Sequence, residues 1–475
     1  MSKSYTQVLA RFSAELQYED LPGQVVREVK RLLLDTIGCG LGALGLDKGR
    51  MAIELMQRMG GRPESTVLGS REKLPSASAA FANGELMNAL DWNALLAPSH
   101  VPPYVIPPAF ALAELHGKSG KDLITAVALA LEISGRVGTS LGGLRATPGG
   151  FPLRVWGISS NQLGATMGAA KILGLDAGKM QHALGLAGYF APLPSHVKYN
   201  HTVHVGYAKY APCGWMAHGG VTTALLAEMG YHGDLTVLDG ENGFWAMNGA
   251  RSCDWQKIDH RLGEEWIFTH VGYKYWPACG MFQSPLDAFT KLIEEHELQP
   301  DEIAEVVVKI EAFAGLDKYI TTDVRDHVEA ASSLPYCIAV AAHRIKRGPG
   351  WQSPQVMNDP RIRAFMSKVK HAVNPKSEEM RHQDLVVDQL PYLSHRPARV
   401  EVTARGKTFD CTVDYARWLS IGVEEFRATD AGLAEKFRAN AEGVLGDGTI
   451  SEVIDSILSL ERVSDTSRVA EMLAS

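Results

Sequence analysis

The 475-residue chain has no excess of basic charge, no paired-cysteine motif and no apolar run of membrane-spanning length. Its 47 Lys and Arg against 54 Asp and Glu leave a net charge of -7. No basic stripe offsets that total, which argues against nucleic acid or an anionic membrane surface as partner. No stretch approaches about 18 uninterrupted apolar residues, and MSKSYTQVLARFSAEL at the N-terminus lacks a signal-peptide core. The six cysteines, at 39, 213, 253, 279, 337 and 411, are scattered without a C-x-x-C. Reduced thiols and a cytoplasmic enzyme are the expectation. Metal and nucleotide signatures are missing too. His201 and His204 form an H-x-x-H with no HExxH and no acid at helical spacing, and the Gly-rich GLGALG and LGGLRATPGG lack GxxxxGK[ST] spacing. Neither a metal nor a cofactor is expected.

What is present is length and helical period. A chain of this size exceeds one compact core, so two domains are the default. The first 250 residues are rich in small residues and in 3.6-residue periodicity, as in VVREVKRLLLDTIGCGLGAL and GVTTALLAEMG. Near 270 the pattern changes. DEIAEVVVKIEAF reads as a strand, ARVEVTARGKTFDCTVDYA as a hairpin turning at Arg405-Gly406, and SSLPYCIAVAAHRI and DPRIRAFMSKVKH as helices. From Ile421 the chain returns to helices. The expected fold is mainly α with a smaller α+β domain: 1–270 helical, 271–415 α+β, and 416–475 C-terminal helices.

The chemistry gathers in a few loops. In NALDWNALLAPSHVPPYVIPPAFALAE, Asp91 and His100 lie nine residues apart on a Pro-rich loop. A carboxylate and an imidazole delivered together suit proton transfer. IPPAFALAELHG opens with prolines at a helix N-terminus, which places His100 just ahead of a helix. Lys209, in GYAKYAPCGWMAHGG, and Lys274, in VGYKYWPACG, sit among Tyr, Trp and Pro where surface lysines seldom occur. A partly desolvated ammonium there can hold a carboxylate or shed a proton.

The order of these pieces resembles the MmgE/PrpD family. LLLDTIGCGLGAL, FANGELMNALDW, His100 with VIPPAFALAE, SGKDLITAVALALEISGRVG, LGATMGAAKILGLD, the two lysine segments, SSLPY at 332–336 and EKFRANAE carry the resemblance over nearly the whole chain. It implies a large all-helical domain with an α/β lid, Asp91 and His100 on the floor, Lys274 at the hinge, the C-terminal tail packed back on the helical domain, and a homodimer. It implies site positions at Asp91, His100, Lys209, Lys274 and Tyr336. Departures from the family pattern are as informative. Where relatives read L-D-F-D-D-T, this chain has Leu90, Asp91, Trp92, Asn93, Ala94 and Leu95. The His of G-F-H-x-T falls on Pro152 or Val155, and the Arg and His after Lys274 become Gly280 and Gln283. Arg154 is a new cation suited to a carboxylate, and Tyr275, beside Lys274, is a further candidate for substrate contact.

The expected reaction is cofactor-independent proton transfer next to a carboxylate of a small di- or tricarboxylic acid. His100 or Lys209 would exchange the proton, Asp91 would orient its partner, and Lys274 with Arg154 would grip the carboxylates. Loss of water or carbon dioxide makes the enzyme a lyase; return of the proton to the other face makes it an epimerase. A catalytically retired binding scaffold is the reading from a different class.

Overall fold

The computed structural model describes residues 3–474 apart from 98, 143, 147–151, 155–156, 194, 389 and 391. Small residues decide how its N-terminal helices meet. The helix Asn161–Ile172 lies between Gly120–Ser140 and Cys213–Glu228. A Cβ at Gly164 would stand 2.0 Å from Ser134 Oγ and 2.3 Å from the Ala130 carbonyl oxygen, and one at Gly220 would stand 2.8 Å from Ala165 Cβ. The helices therefore approach more closely than larger side chains permit. Gly120–Ser140 begins at a capping box between Ser119 and Asp122. Its buried Glu132 and Arg136 pair at 2.6 Å, and Arg136 also donates to the His260 and Glu265 carbonyls.

After the Asp91–His100 loop the helix begins four residues earlier than the sequence suggests. It runs Pro102–Leu115, with Pro102 and Pro103 in its first turn and Pro107 and Pro108 inside it. Pro107 has no N–H to give the Pro103 carbonyl. Packing holds the irregular helix together, since every residue from Pro102 to Glu114 is buried.

A second core forms between Ala278 and Ala404, separate from the one built by residues 9–273 and 428–473. Its sheet has the order Val369–Val373, Ile303–Ile310, Ala398–Ala404, Lys407–Val413. The first pair is parallel and the other two are antiparallel, with Val308 opposite Val400 and Val306 opposite Val402. The hairpin turns at Arg405 and Gly406, both with positive φ, as a two-residue connection requires. Helix Gln283–Glu295 covers one face of the two hairpin strands. One expectation is corrected here. DPRIRAFMSKVKH is helical only over Pro360–Met366; Val369–Val373 is a strand, because its β-branched ends pair with the exposed edge of Ile303–Ile310.

The chain then returns to the first core. Helix Asp430–Ala441 lies along Gly23–Gly42, where Phe437 sits so close that a Cβ on Gly38 would be 3.0 Å from its ring. Lys436 on that helix reaches Asp35 Oδ1 at 2.7 Å, the Trp92 carbonyl at 2.6 Å and the Lys274 carbonyl at 3.1 Å. One buried ammonium thus joins the long helix, the Asp91 loop and the Lys274 segment.

Candidate active site

Asp91 follows the helix Ser76–Ala89 at once, and its backbone turns left-handed, with φ +53°. Lys209 has the same φ. Such backbone is sparsely populated by residues with a Cβ and clusters at functional sites. Here two such residues face each other: Lys209 Nζ is 2.7 Å from Asp91 Oδ1, while Lys274 Nζ is 3.0 Å from Oδ2. Lys209 also donates to the Asn88 carbonyl at 3.2 Å, and Lys274 to the Asp91 carbonyl. The loop and the Lys274 segment are held in register by a short antiparallel pairing, Leu95 with Gly272 and Leu96 with Val271.

All three charged side chains are buried. Burial by itself would raise the Asp91 pKa, but Lys209 and Lys274 outweigh it and hold the carboxyl well below its usual range. Burial also acts on Lys209, against the pull of Asp91, and lowers it to about 8. A carboxylate between two ammonium groups leaves positive charge in excess when both lysines are protonated.

His100 has a defined tautomer. Asn93 Nδ2 donates to the Ala94 carbonyl at 3.1 Å and lies 3.2 Å from His100 Nδ1. The amide nitrogen therefore faces the ring, Nδ1 accepts, and the neutral ring carries its proton on Nε2, 4.0 Å from Asp91 Oδ1. Burial, reinforced by Lys274, pushes the His100 pKa well below the ordinary histidine value. The ring stacks on Tyr210 at 4.9 Å. Behind it, Asn88 donates to the Tyr210 hydroxyl at 3.2 Å and accepts from Lys48 at 3.0 Å, and Lys48 pairs with Glu85 at 3.0 Å. In this state His100 donates a hydrogen bond from Nε2 and has no free lone pair with which to take a proton.

Asp91 and His100 line a cavity of about 560 Å³ to which both cores contribute, a size suited to a small ligand. Tyr199, Tyr210 and Tyr319 line its wall, and Leu95, Phe313, Leu419 and Ile421 bring apolar surface. Arg381 and Arg396 also line it, paired with Glu378 at 2.9 Å and Glu311 at 3.4 Å.

The other expected site residues are distributed differently. Lys209 and Lys274 stand behind Asp91, outside the cavity wall, so the direct grip of Lys274 on a substrate carboxylate is replaced by a clamp on Asp91. Tyr336 is a core residue: its hydroxyl donates to the Trp351 carbonyl, and it does not line the cavity. Tyr275 is also off the wall. The guanidinium groups of Arg347 and Arg417 both lie over its ring, at 3.8 and 4.5 Å from its centre. Arg154 ends a short strand, Pro152–Arg154, and its side chain falls outside the described residues, as does Val155. Among the described residues no three His, Cys, Asp or Glu side chains are grouped to hold a metal ion; His204 instead pairs with Glu329 at 2.9 Å.

The substitutions noted in the sequence fit one another. A Cβ on Gly280 would lie 2.8 Å from Leu95 Cδ1, so Leu95 occupies the space that a side chain at 280 would enter. Gln283 accepts from the Trp276 amide at 2.8 Å and donates to the Trp276 and Ala278 carbonyls, pinning the turn after Lys274.

Sequence reasoning passed over Lys318, Tyr319, Tyr199 and His196. Lys318 is 4% exposed, donates to Asn200 Oδ1 at 3.1 Å and lies 3.2 Å from the centre of the Tyr199 ring. Burial lowers its pKa to about 7. A local signal was available. The chain has four Lys-Tyr dipeptides, at 198–199, 209–210, 274–275 and 318–319, and each contributes a side chain to the cavity or its charged backing.

The MmgE/PrpD N-terminal domain family model matches residues 7–252, and the MmgE/PrpD C-terminal domain model matches 276–460. The cis-aconitate decarboxylase of Homo sapiens is 28% identical over 496 residues, covering 100% of this chain and 95% of the relative. That of Mus musculus is 27% identical over 500 residues, covering 100% and 94%. A cis-aconitate decarboxylase of Aspergillus terreus is 24% identical over 487 residues, covering 98% and 95%.

Proposed function

As the chain belongs to the MmgE/PrpD family, we propose that it is a cofactor-independent lyase that removes carbon dioxide from a small di- or tricarboxylic acid, with loss of water from a hydroxy acid as the neighbouring reaction. The observation that carries this reading is a neutral His100, donating a hydrogen bond from Nε2, beside a buried carboxylate clamped by two lysines. When the bond from carbon to a carboxylate breaks, its electron pair passes into a neighbouring carboxylate as an enediolate. Carbon dioxide leaves, and carbon then takes one proton. Such a reaction needs positive charge near the developing anion and a proton donor.

The residues divide those tasks. Lys209, Lys274 and Lys318 supply positive charge, buried so that water screens it little. His100 presents Nε2–H beside Asp91. Lys209, which gives up its proton near pH 8, is the acid of the site: it donates to Asp91 Oδ1, and through that carboxylate it supplies the proton that carbon takes, while the neutral His100 ring only donates a hydrogen bond. Dehydration would instead need a base at carbon and an acid for the leaving hydroxyl. The Nδ1 acceptor of His100 is occupied, and Leu95 stands where the family pattern has a threonine, so loss of carbon dioxide is the favoured branch. The decarboxylase names of the relatives support the same choice.

The test is turnover in D2O with cis-aconitate and a panel of hydroxylated, amino-substituted and unsaturated di- and tricarboxylic acids, followed by proton NMR and carbon dioxide release. The expected result is one deuteron in the product per carbon dioxide. Exchange of a substrate proton without carbon dioxide would instead make the enzyme an epimerase, and no turnover of any acid would leave the retired scaffold.

A further inference from the structure

We infer that His196 is a second catalytic imidazole of this site, a neutral ring that donates from Nε2 to the substrate in the cavity, with its tautomer set by Asn200 as a positioning residue. The inference rests on the carboxylic-acid reading above and adds a residue to it.

The donors and acceptors around Asn200 fix where the ring proton sits. The Lys318 ammonium can only donate, and it lies 3.1 Å from Asn200 Oδ1. The Tyr319 hydroxyl donates to the same oxygen at 3.2 Å. Two donors on one atom identify it as the amide oxygen, so the amide nitrogen is the atom 3.0 Å from His196 Nδ1. An N–H facing Nδ1 makes that nitrogen an acceptor, and the ring proton resides on Nε2. Asn200 is itself 1% exposed, so its orientation is set by these partners and not by water. Burial, followed by Lys318, lowers the His196 pKa to about 3, which keeps the ring neutral.

His196 also has the right neighbours. Its ring lines the same cavity as His100 and Asp91. It stands 5.9 Å from the Tyr210 ring on which His100 stacks at 4.9 Å. Two neutral imidazoles, each locked by an asparagine through Nδ1, therefore flank one phenol. A neutral imidazole is a weak acid but a good fixed donor, and its hydrogen bond strengthens as charge develops on an enediolate oxygen. No bond is made to the ring and no proton need leave it.

Three variants of the full chain test this. His196→Phe keeps a ring without a donor, and it is expected to lower kcat by about 10²-fold. His196→Gln keeps an N–H near the Nε2 position and is expected to retain most of what Phe loses. Asn200→Asp replaces the donor by an acceptor. It should move the ring proton to Nδ1, invert the imidazole nitrogen-15 pattern of His196 in NMR, and lower kcat without lowering the melting temperature. Calorimetric binding of propane-1,2,3-tricarboxylate, an unreactive probe, should weaken by about tenfold in His196→Phe. Wild-type activity and binding retained in His196→Phe would overturn the inference alone, as would an Nδ1–H signature for His196 in the wild type. A wild-type protein that neither turns over nor binds any carboxylate would remove the proposed function, and this inference with it.

Discussion

Burial and ion pairing pull the Lys209 ammonium in opposite directions, and burial wins, leaving its pKa at about 8 where the free side chain has 10.5. The ammonium that pairs with Asp91 is therefore present below about pH 8 and lost above it. Turnover should fall along an alkaline limb centred near 8; a limb displaced to 10 or beyond in kcat/KM against pH would reject this role for Lys209. The same shift has the opposite sign for stability. The folded chain releases this proton at lower pH than the unfolded chain, so the cost of burying the charge is full below about 8. It is relieved as pH rises toward the unfolded value. His100 behaves differently. Its pKa is pushed down, so it stays neutral through the mildly acidic range and places no limb near 6.5. At this scale the sequence shows which residue types are present, whereas the protonation states depend on Asn93, Lys274 and Asp91 acting together.

Elements carry their own predictions. Helix Leu334–Ala342 places the Tyr336 hydroxyl on the Trp351 carbonyl. Tyr336→Phe should cost about 1–2 kcal/mol in denaturant unfolding, because it leaves that carbonyl unpaired, while turnover stays at the wild-type level. Loss of turnover in a folded variant would return Tyr336 to the site. Gly164 carries the contact of Asn161–Ile172 with Gly120–Ser140. Gly164→Ala drives a methyl group into the Ala130 carbonyl and is expected to cost about 1–3 kcal/mol through overpacking, read as a fall in melting temperature; no fall would mean that the helices can separate freely. Much at this scale was legible, including the Ile303–Ile310 strand, the hairpin at Arg405-Gly406 and the helix ahead of which His100 lies. The strand Val369–Val373 was not, since its partner is about sixty residues away and its own sequence continues the period of the helix before it.

The whole molecule is two cores with a charged seam. Tyr273 belongs to the first core and Ala278 to the second, so Lys274 lies on the chain segment that passes between them. Lys436 ties that segment to Asp35 and to the Trp92 carbonyl. Among the described residues Lys436 is the only charged partner of Asp35, so Lys436→Met leaves that buried carboxylate without its ion pair. The expected loss is about 3–5 kcal/mol, and it should be accompanied by a rise in KM as the Asp91 loop and the Lys274 segment lose their common anchor. A Met variant as stable as the wild type would show that the anchor carries no net energy.

Local chemistry in the sequence determined the helical first half, the later sheet and the polar loops that hold Asp91, His100, Lys209 and Lys274. Helical period, β-branched runs and turn residues act over a few positions and can be read along the chain. Only the tertiary structure decided which tyrosine faces the cavity, which lysines stand behind its wall, and that His196 and Lys318 come near it. Those outcomes depend on burial and on hydrogen-bond direction between side chains more than a hundred residues apart, as between Lys318 and Asn200. No local pattern encodes such partners, because a donor acquires its meaning from the acceptor that the fold brings to it.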